Sequence, residues 1–212
     1  MTGRVFVFAK APVLGAVKTR LAASVGKARA LALYRAMLED VARVARAVDP
    51  GAVLALAGMD GPLPRTLFGL RVVRQVGPDL GARIASAVAG RARGAVAVVG
   101  SDHPCIRAED LRACLHLARP GHLCLAPTDD GGYWCLAAAG GTDLRPVLSD
   151  IPWSTDRVFA ATRDAARRAG LRVEVGPPGF DIDDGGDLDR ARGLLAAQPE
   201  RAPRLARLLG IE

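Results

Sequence analysis

Three cations, Lys10, Lys18 and Arg20, fall on a short segment broken by Pro12 and Gly15, directly after the apolar run at 4–9. Such a run reads as a buried strand, and an α/β sheet delivers the loop after its first strand to the carboxyl edge, where phosphorylated ligands bind. Backbone N–H groups freed at Gly15, with the positive end of the following helix, can cradle phosphate oxygens. Lys10, Lys18 and Arg20 would add charge-assisted hydrogen bonds. The segment points to anion binding by a nucleotide-using enzyme; the alternative is a solvated basic turn.

Carboxylates recur at three further places. The run at 95–99 ends in Gly100-Ser101-Asp102-His103-Pro104, so Asp102 emerges at the carboxyl edge of a central strand, placed to hold a divalent cation or to cap the next helix. Asp181, Asp183, Asp184 and Asp187 precede the last regular helix. Asp181 and Asp183 share a face if extended and offer metal ligands opposite Asp102, whereas Asp184 or Asp187 is placed to cap. Third, Asp129-Asp130-Gly131-Gly132-Tyr133-Trp134 breaks a strand-to-strand connection, and glycine permits close approach of backbone to a ligand. Tyr133, Trp134 and Trp153 could stack on a sugar or base, or form the large members of a small-residue core.

These residues need a scaffold. Strands are expected at 4–9, 52–57, 71–76, 95–99, 122–126, 133–137 and 171–175. Helices are expected at 26–48, 80–93, 107–118, 154–169 and 186–197, with a last short one in the tail at 199–212. Leu33, Met37, Val41, Val44 and Val48 set the helical period of the first. Ser154 is expected to N-cap the fourth and Gly170 to close it. Alternation of this kind predicts an α/β fold: one mainly parallel, Rossmann-like sheet flanked by helices.

The 212 residues suit one domain over 1–212, with a nucleotide-binding half at about 1–105, an acceptor half at about 106–198 and a tail at 199–212. Half the residues are hydrophobic, which excludes a disordered chain, and no apolar run is long enough to span a bilayer. The first strand follows Met1-Thr2-Gly3 directly, so a cytoplasmic protein is expected. The net charge of +7 comes from arginines scattered along Ala-rich helices, a pattern that argues against polymeric nucleic acid as partner. Cys105, Cys114, Cys124 and Cys135 contain no Cys-x-x-Cys pair and are expected as free thiols.

Taken in order, Lys10-x-Pro12-x-x-Gly15-x-x-Lys18-Thr19-Arg20-Leu21, Asp79-Leu80-Gly81-x-Arg83, Gly100-Ser101-Asp102-x-Pro104, Asp130-Gly131-Gly132-Tyr133, Trp153-Ser154-Thr155 and Asp181-x-Asp183 resemble the bacterial transferases known as radical-SAM/selenodomain-associated transferase 1. The resemblance runs from about Val5 to Leu195. It implies a GT-A-like nucleotide-diphospho-sugar transferase fold, Mg2+ or Mn2+ as cofactor, and glycosyl transfer. A more distant similarity links the basic loop and the Asp-x-Asp ending to phospholactate guanylyltransferases and molybdenum-cofactor nucleotidyltransferases, which cleave a nucleoside triphosphate.

By resemblance Lys10, Gly15, Lys18, Arg20, Asp79, Gly81 and Arg83 would bind nucleotide, and Asp102, Asp183 and Asp181 the metal. Gly131, Gly132, Tyr133, Trp153 and Ser154 would face the acceptor. The chain departs from the family at His103, Cys105 and Asp184, where Cys, Asp and Thr are usual, and at Ala82, where Glu is common.

Two reactions follow. Glycosyl transfer from a nucleotide sugar to a small acceptor stands first, and its inverting form wants a carboxylate base, Asp130 or Asp129. Nucleotidyl transfer from a triphosphate to a small phosphorylated acceptor stands second; it makes fuller use of the cations and needs no base. A non-catalytic nucleotide- or nucleic-acid-binding protein stands third.

Overall fold

A computed structural model describes residues 3–59, 61–88 and 94–211. Its eight strands are β1 (Arg4–Lys10), β2 (Val53–Ala57), β3 (Thr66–Leu67), β4 (Leu70–Arg74), β5 (Ala95–Gly100), β6 (His122–Pro127), β7 (Tyr133–Ala139) and β8 (Arg172–Val175). They form one sheet in the order β3-β4-β2-β1-β5-β7-β6-β8. The segment β4-β2-β1-β5 is parallel, β7 is antiparallel to both β5 and β6, β8 is parallel to β6, and β3 turns back along β4. The α/β architecture expected from alternation is the one observed.

The helices are α1 (Thr19–Val25), α2 (Lys27–Val48), α3 (Leu80–Val88), α4 (Ala108–Leu117), α5 (Arg145–Leu148), α6 (Val158–Arg168), α7 (Gly185–Ala197) and α8 (Pro203–Leu208), of which α2 to α6 cover the sheet. The side-chain alternation of each strand divides the core into two layers. Val5, Val7 and Ala9 of β1 join Ala95, Ala97 and Val99 of β5 on the face covered by α2 and α4. Phe6 and Phe8, with Val96 and Val98, pack on the opposite face with Ile84 of α3, Val147 of α5 and Ala166 of α6. Both faces are buried, which is why these strands read as continuous apolar runs. A third cluster joins the far side of α2 to α1, α7 and α8.

Two local expectations are corrected. The helix assigned to 154–169 begins at Val158, because Ser154 sits in the left-handed region at φ 64° and Arg157 takes the N-cap position. Gly170 does lie just beyond its end, at φ 78°, after the C-cap Ala169. The basic loop is followed by a separate seven-residue helix, α1, before Gly26 at φ 83° admits α2. The last five residues of the 80–93 helix lie outside the described residues, as do parts of the two chain ends. No helix among the described residues is long and apolar enough to cross a membrane.

Strand order decides where chemistry gathers. From β1 the chain moves outward through β2 and β4, then returns to β5 on the other side of β1. The carboxyl ends of β1 and β5 therefore flank a topological switch point, the position where open α/β sheets bind ligands. Phe8 is in register with Gly100, so the loops carrying Lys10 and Asp102 leave the sheet side by side.

Candidate functional site

A cleft of about 510 Å³ opens at this switch point, with Lys10, Lys18, Arg20, Arg83, Asp102 and Asp183 on its walls. Trp153, Ser154, Gln75 and Tyr34 complete the part that matters for chemistry. A Cβ at Gly100 would meet nothing within 4 Å, so glycine at the end of β5 leaves the floor open.

The basic loop is held from below. The Tyr34 hydroxyl, buried on α2, accepts from the Lys10 N–H at 3.0 Å and donates to the Lys10 carbonyl at 2.9 Å. Ala11 N–H bonds the Ala57 carbonyl at 2.7 Å, tying the loop to β2. Lys18 then turns the chain in the left-handed region, at φ 49°, and starts α1 without any side-chain cap. An uncapped helix start leaves its first N–H groups without intrahelical acceptors, and Thr19 and Arg20, its first two residues, line the cleft.

The Lys18 ammonium is the electrostatic centre. It lies 3.0 Å from Asp102 Oδ2 and 2.6 Å from Asp183 Oδ1, with its side chain only 5% exposed. Burial alone would pull its pKa down, but the carboxylates of Asp102 and Asp183 outweigh burial and hold it above the ordinary lysine value. Ser101 Oγ donates to Asp102 Oδ1 at 3.0 Å, and Ile182 N–H bonds the Asp102 carbonyl at 3.0 Å, fastening the two acidic segments together. Asp181 is pushed up to about 7, first by burial and then by the neighbouring carboxylates of Asp102 and Asp130.

Asp102 and Asp183 thus converge on a single cationic atom. A pair of carboxylates suits Mg2+ or Mn2+, which takes one or two of them and completes its shell with water and substrate phosphate. Asp181 does not join the pair: among the described residues no three His, Cys, Asp or Glu side chains are arranged to hold one ion. Asp184 caps α7, accepting from Gly186 and Asp187 N–H groups, and its other oxygen meets Arg20 at 2.7 Å.

Several other residues named from sequence hold structural contacts. Asp79 Oδ1 accepts from Ala82 N–H at 2.8 Å and so starts α3. A Cβ on Gly81 would stand 2.2 Å from the Leu148 carbonyl, and one on Gly131 2.0 Å from the Asp156 carbonyl, so these glycines serve helix and loop packing. Gly15, at φ 77°, shapes the basic loop and is not on the cleft wall.

Asp129 turns away from the cleft to pair with Arg190. Asp130 Oδ1 accepts from Thr128 Oγ1 at 2.6 Å and Gly132 N–H at 3.0 Å, closing the β6–β7 hairpin. The Tyr133 hydroxyl is buried against Thr162, so Tyr133 is a core residue. Trp153 and Ser154, expected beside an acceptor, share the cleft with the basic loop.

Tyr34 and Gln75 were not singled out from sequence. Tyr34 lies on the buried side of an amphipathic helix and reads as core. Gln75 Nε2 donates to the carbonyls of Ala55 at 2.8 Å and Ala9 at 3.2 Å, bridging β1 and β2 beside the cleft.

The chain is 34% identical over 185 residues to phosphoenolpyruvate guanylyltransferase of Geodermatophilus obscurus, covering 84% of this chain and 79% of that protein. It superposes on a protein described as a nucleotide-diphospho-sugar transferase from Desulfovibrio desulfuricans G20 with a TM-score of 0.86 and 27% identity, over 98% of this chain and 94% of that one. Its fold is also that of glucosyl-3-phosphoglycerate synthase from Mycobacterium tuberculosis, solved with Mn2+ and uridine diphosphate: TM-score 0.52, 15% identity, 95% of this chain and 80% of that one. Residues 39–155 match the family described as uncharacterized protein conserved in bacteria (DUF2064), and the chain, a transferase of the nucleotide-diphospho-sugar transferase fold, belongs to that family.

Proposed function

We propose that this transferase is a nucleotidyltransferase, acting in the cytoplasm, that joins the nucleoside monophosphate part of a triphosphate to a small phosphorylated acid. The observation that carries this reading is the division of charge. Lys10, Arg20 and Arg83 line one cleft with the uncapped start of α1, while the hairpin carboxylates Asp129 and Asp130 are committed to Arg190 and to their own turn. A site rich in cations and without a committed base suits a nucleophile that is already an anion. The guanylyltransferase relative supports the same order, which reverses the one read from sequence.

In this reading the triphosphate lies along Lys10, Arg20, Arg83 and the N–H groups of Thr19 and Arg20, with Trp153 beside the nucleoside. An acceptor phosphate oxygen attacks the α-phosphorus, the bond from that phosphorus to the bridging oxygen of the β-phosphate breaks, and pyrophosphate leaves with the electron pair. Mg2+ or Mn2+ held by Asp102 and Asp183 would neutralise charge on the departing pyrophosphate. Lys18 keeps those two carboxylates convergent, and Ser101 orients Asp102.

Glycosyl transfer is the second reading, favoured by the extent of the likeness to the Desulfovibrio protein. A thermal-shift panel separates the two, because a ligand that binds the native state raises its melting temperature by mass action. Metal-dependent stabilisation by one triphosphate, lost in Asp102→Asn, is expected. Selective stabilisation by a nucleotide sugar would favour the second reading.

A further inference from the structure

Gln75 directly follows β4, and its N–H continues the pairing of that strand with β2 by donating to the Leu56 carbonyl at 2.9 Å. Its side chain reaches across β2. The amide nitrogen donates to two main-chain carbonyls, Ala55 at 2.8 Å and Ala9 at 3.2 Å, so both of its hydrogens are engaged. The group cannot turn over, because a flipped amide would set its oxygen against two other oxygens. Its Oε1 therefore has a fixed place. No described residue donates to that oxygen and it is not buried, so it stands as an open acceptor on a residue that lines the cleft.

The same cleft carries apolar surface that nothing covers. Leu80, 39% exposed, lines it together with Ala57. An open aliphatic side chain and a single fixed acceptor suit a flat ring that packs on the first and meets the second by its edge. Lys10, Arg20 and Arg83 cannot take the acceptor's role, since their side chains offer donors alone.

An oxygen with two free lone pairs, and no free N–H beside it, discriminates among bases. Guanine presents two adjacent donors, N1–H and the 2-amino group, which converge on one such oxygen. Adenine and cytosine set a ring-nitrogen acceptor beside their amino group, and uracil flanks its N3–H with two carbonyls, so in all three a lone pair opposes the oxygen. We propose that Gln75 is a specificity-determining residue, accepting from N1–H and the 2-amino group of a guanine nucleotide whose ring packs against Leu80. The inference rests on the reading of the cleft as a nucleotide site, and it holds for a triphosphate or a nucleotide sugar alike.

Calorimetric titration with Mg2+ and the triphosphates of guanosine, inosine, adenosine, cytidine and uridine tests it. Inosine triphosphate differs from the guanosine compound only in lacking the 2-amino group. Wild type is expected to bind guanosine triphosphate at least about tenfold more tightly than each of the others, the scale of one lost hydrogen bond. Gln75→Met keeps the length of the side chain and removes its acceptor. In this variant guanosine triphosphate should weaken by at least about tenfold and bind no better than inosine triphosphate. That convergence separates base reading from a structural role, because loss of the β1–β2 bridge alone would weaken both nucleotides equally.

Melting curves establish whether the variant is folded. Independently of it, 1-methylguanosine triphosphate, whose N1 is blocked, should bind wild type at least about tenfold more weakly than guanosine triphosphate. Equal binding of guanosine, inosine and 1-methylguanosine triphosphates by wild type, or a guanosine preference retained in folded Gln75→Met, overturns the proposal and leaves the nucleotide site standing. Binding of none of the nucleotides by wild type overturns both.

Discussion

The Lys18 ammonium lies 2.6 Å from the Asp183 carboxylate across 165 residues of chain, and the two close the cleft by joining the loop after β1 to the loop before α7. With Asp102 on the other side of the same nitrogen, the arrangement is a buried cation held by two half-exposed anions. Removing the cation should have two opposed effects.

Lys18→Met leaves Asp102 and Asp183 in mutual repulsion, at a cost of about 1–3 kcal/mol, less than for a fully buried pair because both carboxylates touch solvent. The freed carboxylates should then take up a divalent ion more tightly than the wild type does. Melting curves with and without Mn2+ check this: the variant should melt lower than wild type without the ion and gain more from it. Equal gains in both proteins would show that Lys18 and the ion do not compete.

The hairpin carboxylates separate the two transfer reactions. Asp129→Asn removes only an exposed pair with Arg190 and should leave turnover within about twofold. Asp130→Asn retains one acceptor for the turn, and loss of less than about tenfold is expected, since general-base removal costs 10²–10⁴-fold. A larger loss at Asp130, with nucleotide affinity intact, would reinstate it as a base.

Tyr34→Phe tests the support beneath the basic loop. It deletes both hydrogen bonds to Lys10, which should lower stability by about 1–2 kcal/mol and loosen the cationic wall. Denaturant unfolding gives the first effect and nucleotide titration the second. A variant that loses stability but binds nucleotide as well as wild type would confine Tyr34 to structure.

Asp40 gives a pH dependence away from the site. Its buried carboxylate accepts from the Arg204 and Leu205 N–H groups that begin α8. Burial nevertheless holds its pKa at about 6, above the ordinary 3.8. A carboxyl whose folded pKa is raised stabilises the fold below its unfolded pKa and loses that stability as pH rises through the folded one. From pH 4 to 7 the loss is on the order of 3 kcal/mol. Asp40→Asn should therefore gain on wild type over that interval in thermal melts. A pH-independent difference would refute the assignment.

Much of the fold was legible because both-sided burial writes itself into runs such as Val5–Ala9 and Ala95–Val99, and amphipathic burial into the period of α2. The short elements were not. The two residues of β3 and four of α5 carry too little pattern, and the reversal of β7 is a matter of pairing, on which strand composition is silent. At the site, Lys10, Lys18, Arg20, Arg83, Asp102 and Asp183 were all named from sequence and all meet in one cleft. Other residues named with them have structural work of their own. Gly81, Gly131 and Asp79 belong to motifs, yet a motif records packing and capping as readily as ligand contact. Tyr34 escaped notice because the apolar body of a tyrosine fits a helix stripe while only its hydroxyl, at the rim, does the positioning.

The most direct measurement follows phosphorus itself. With Mg2+, each of the four nucleoside triphosphates and a panel of small phosphorylated acids as acceptors, ³¹P NMR should show a new phosphoanhydride and free pyrophosphate appearing together, only when an acceptor is present and not in Asp102→Asn. Inert triphosphates, together with release of a nucleoside diphosphate from a nucleotide sugar, would contradict nucleotidyl transfer and establish sugar transfer in its place.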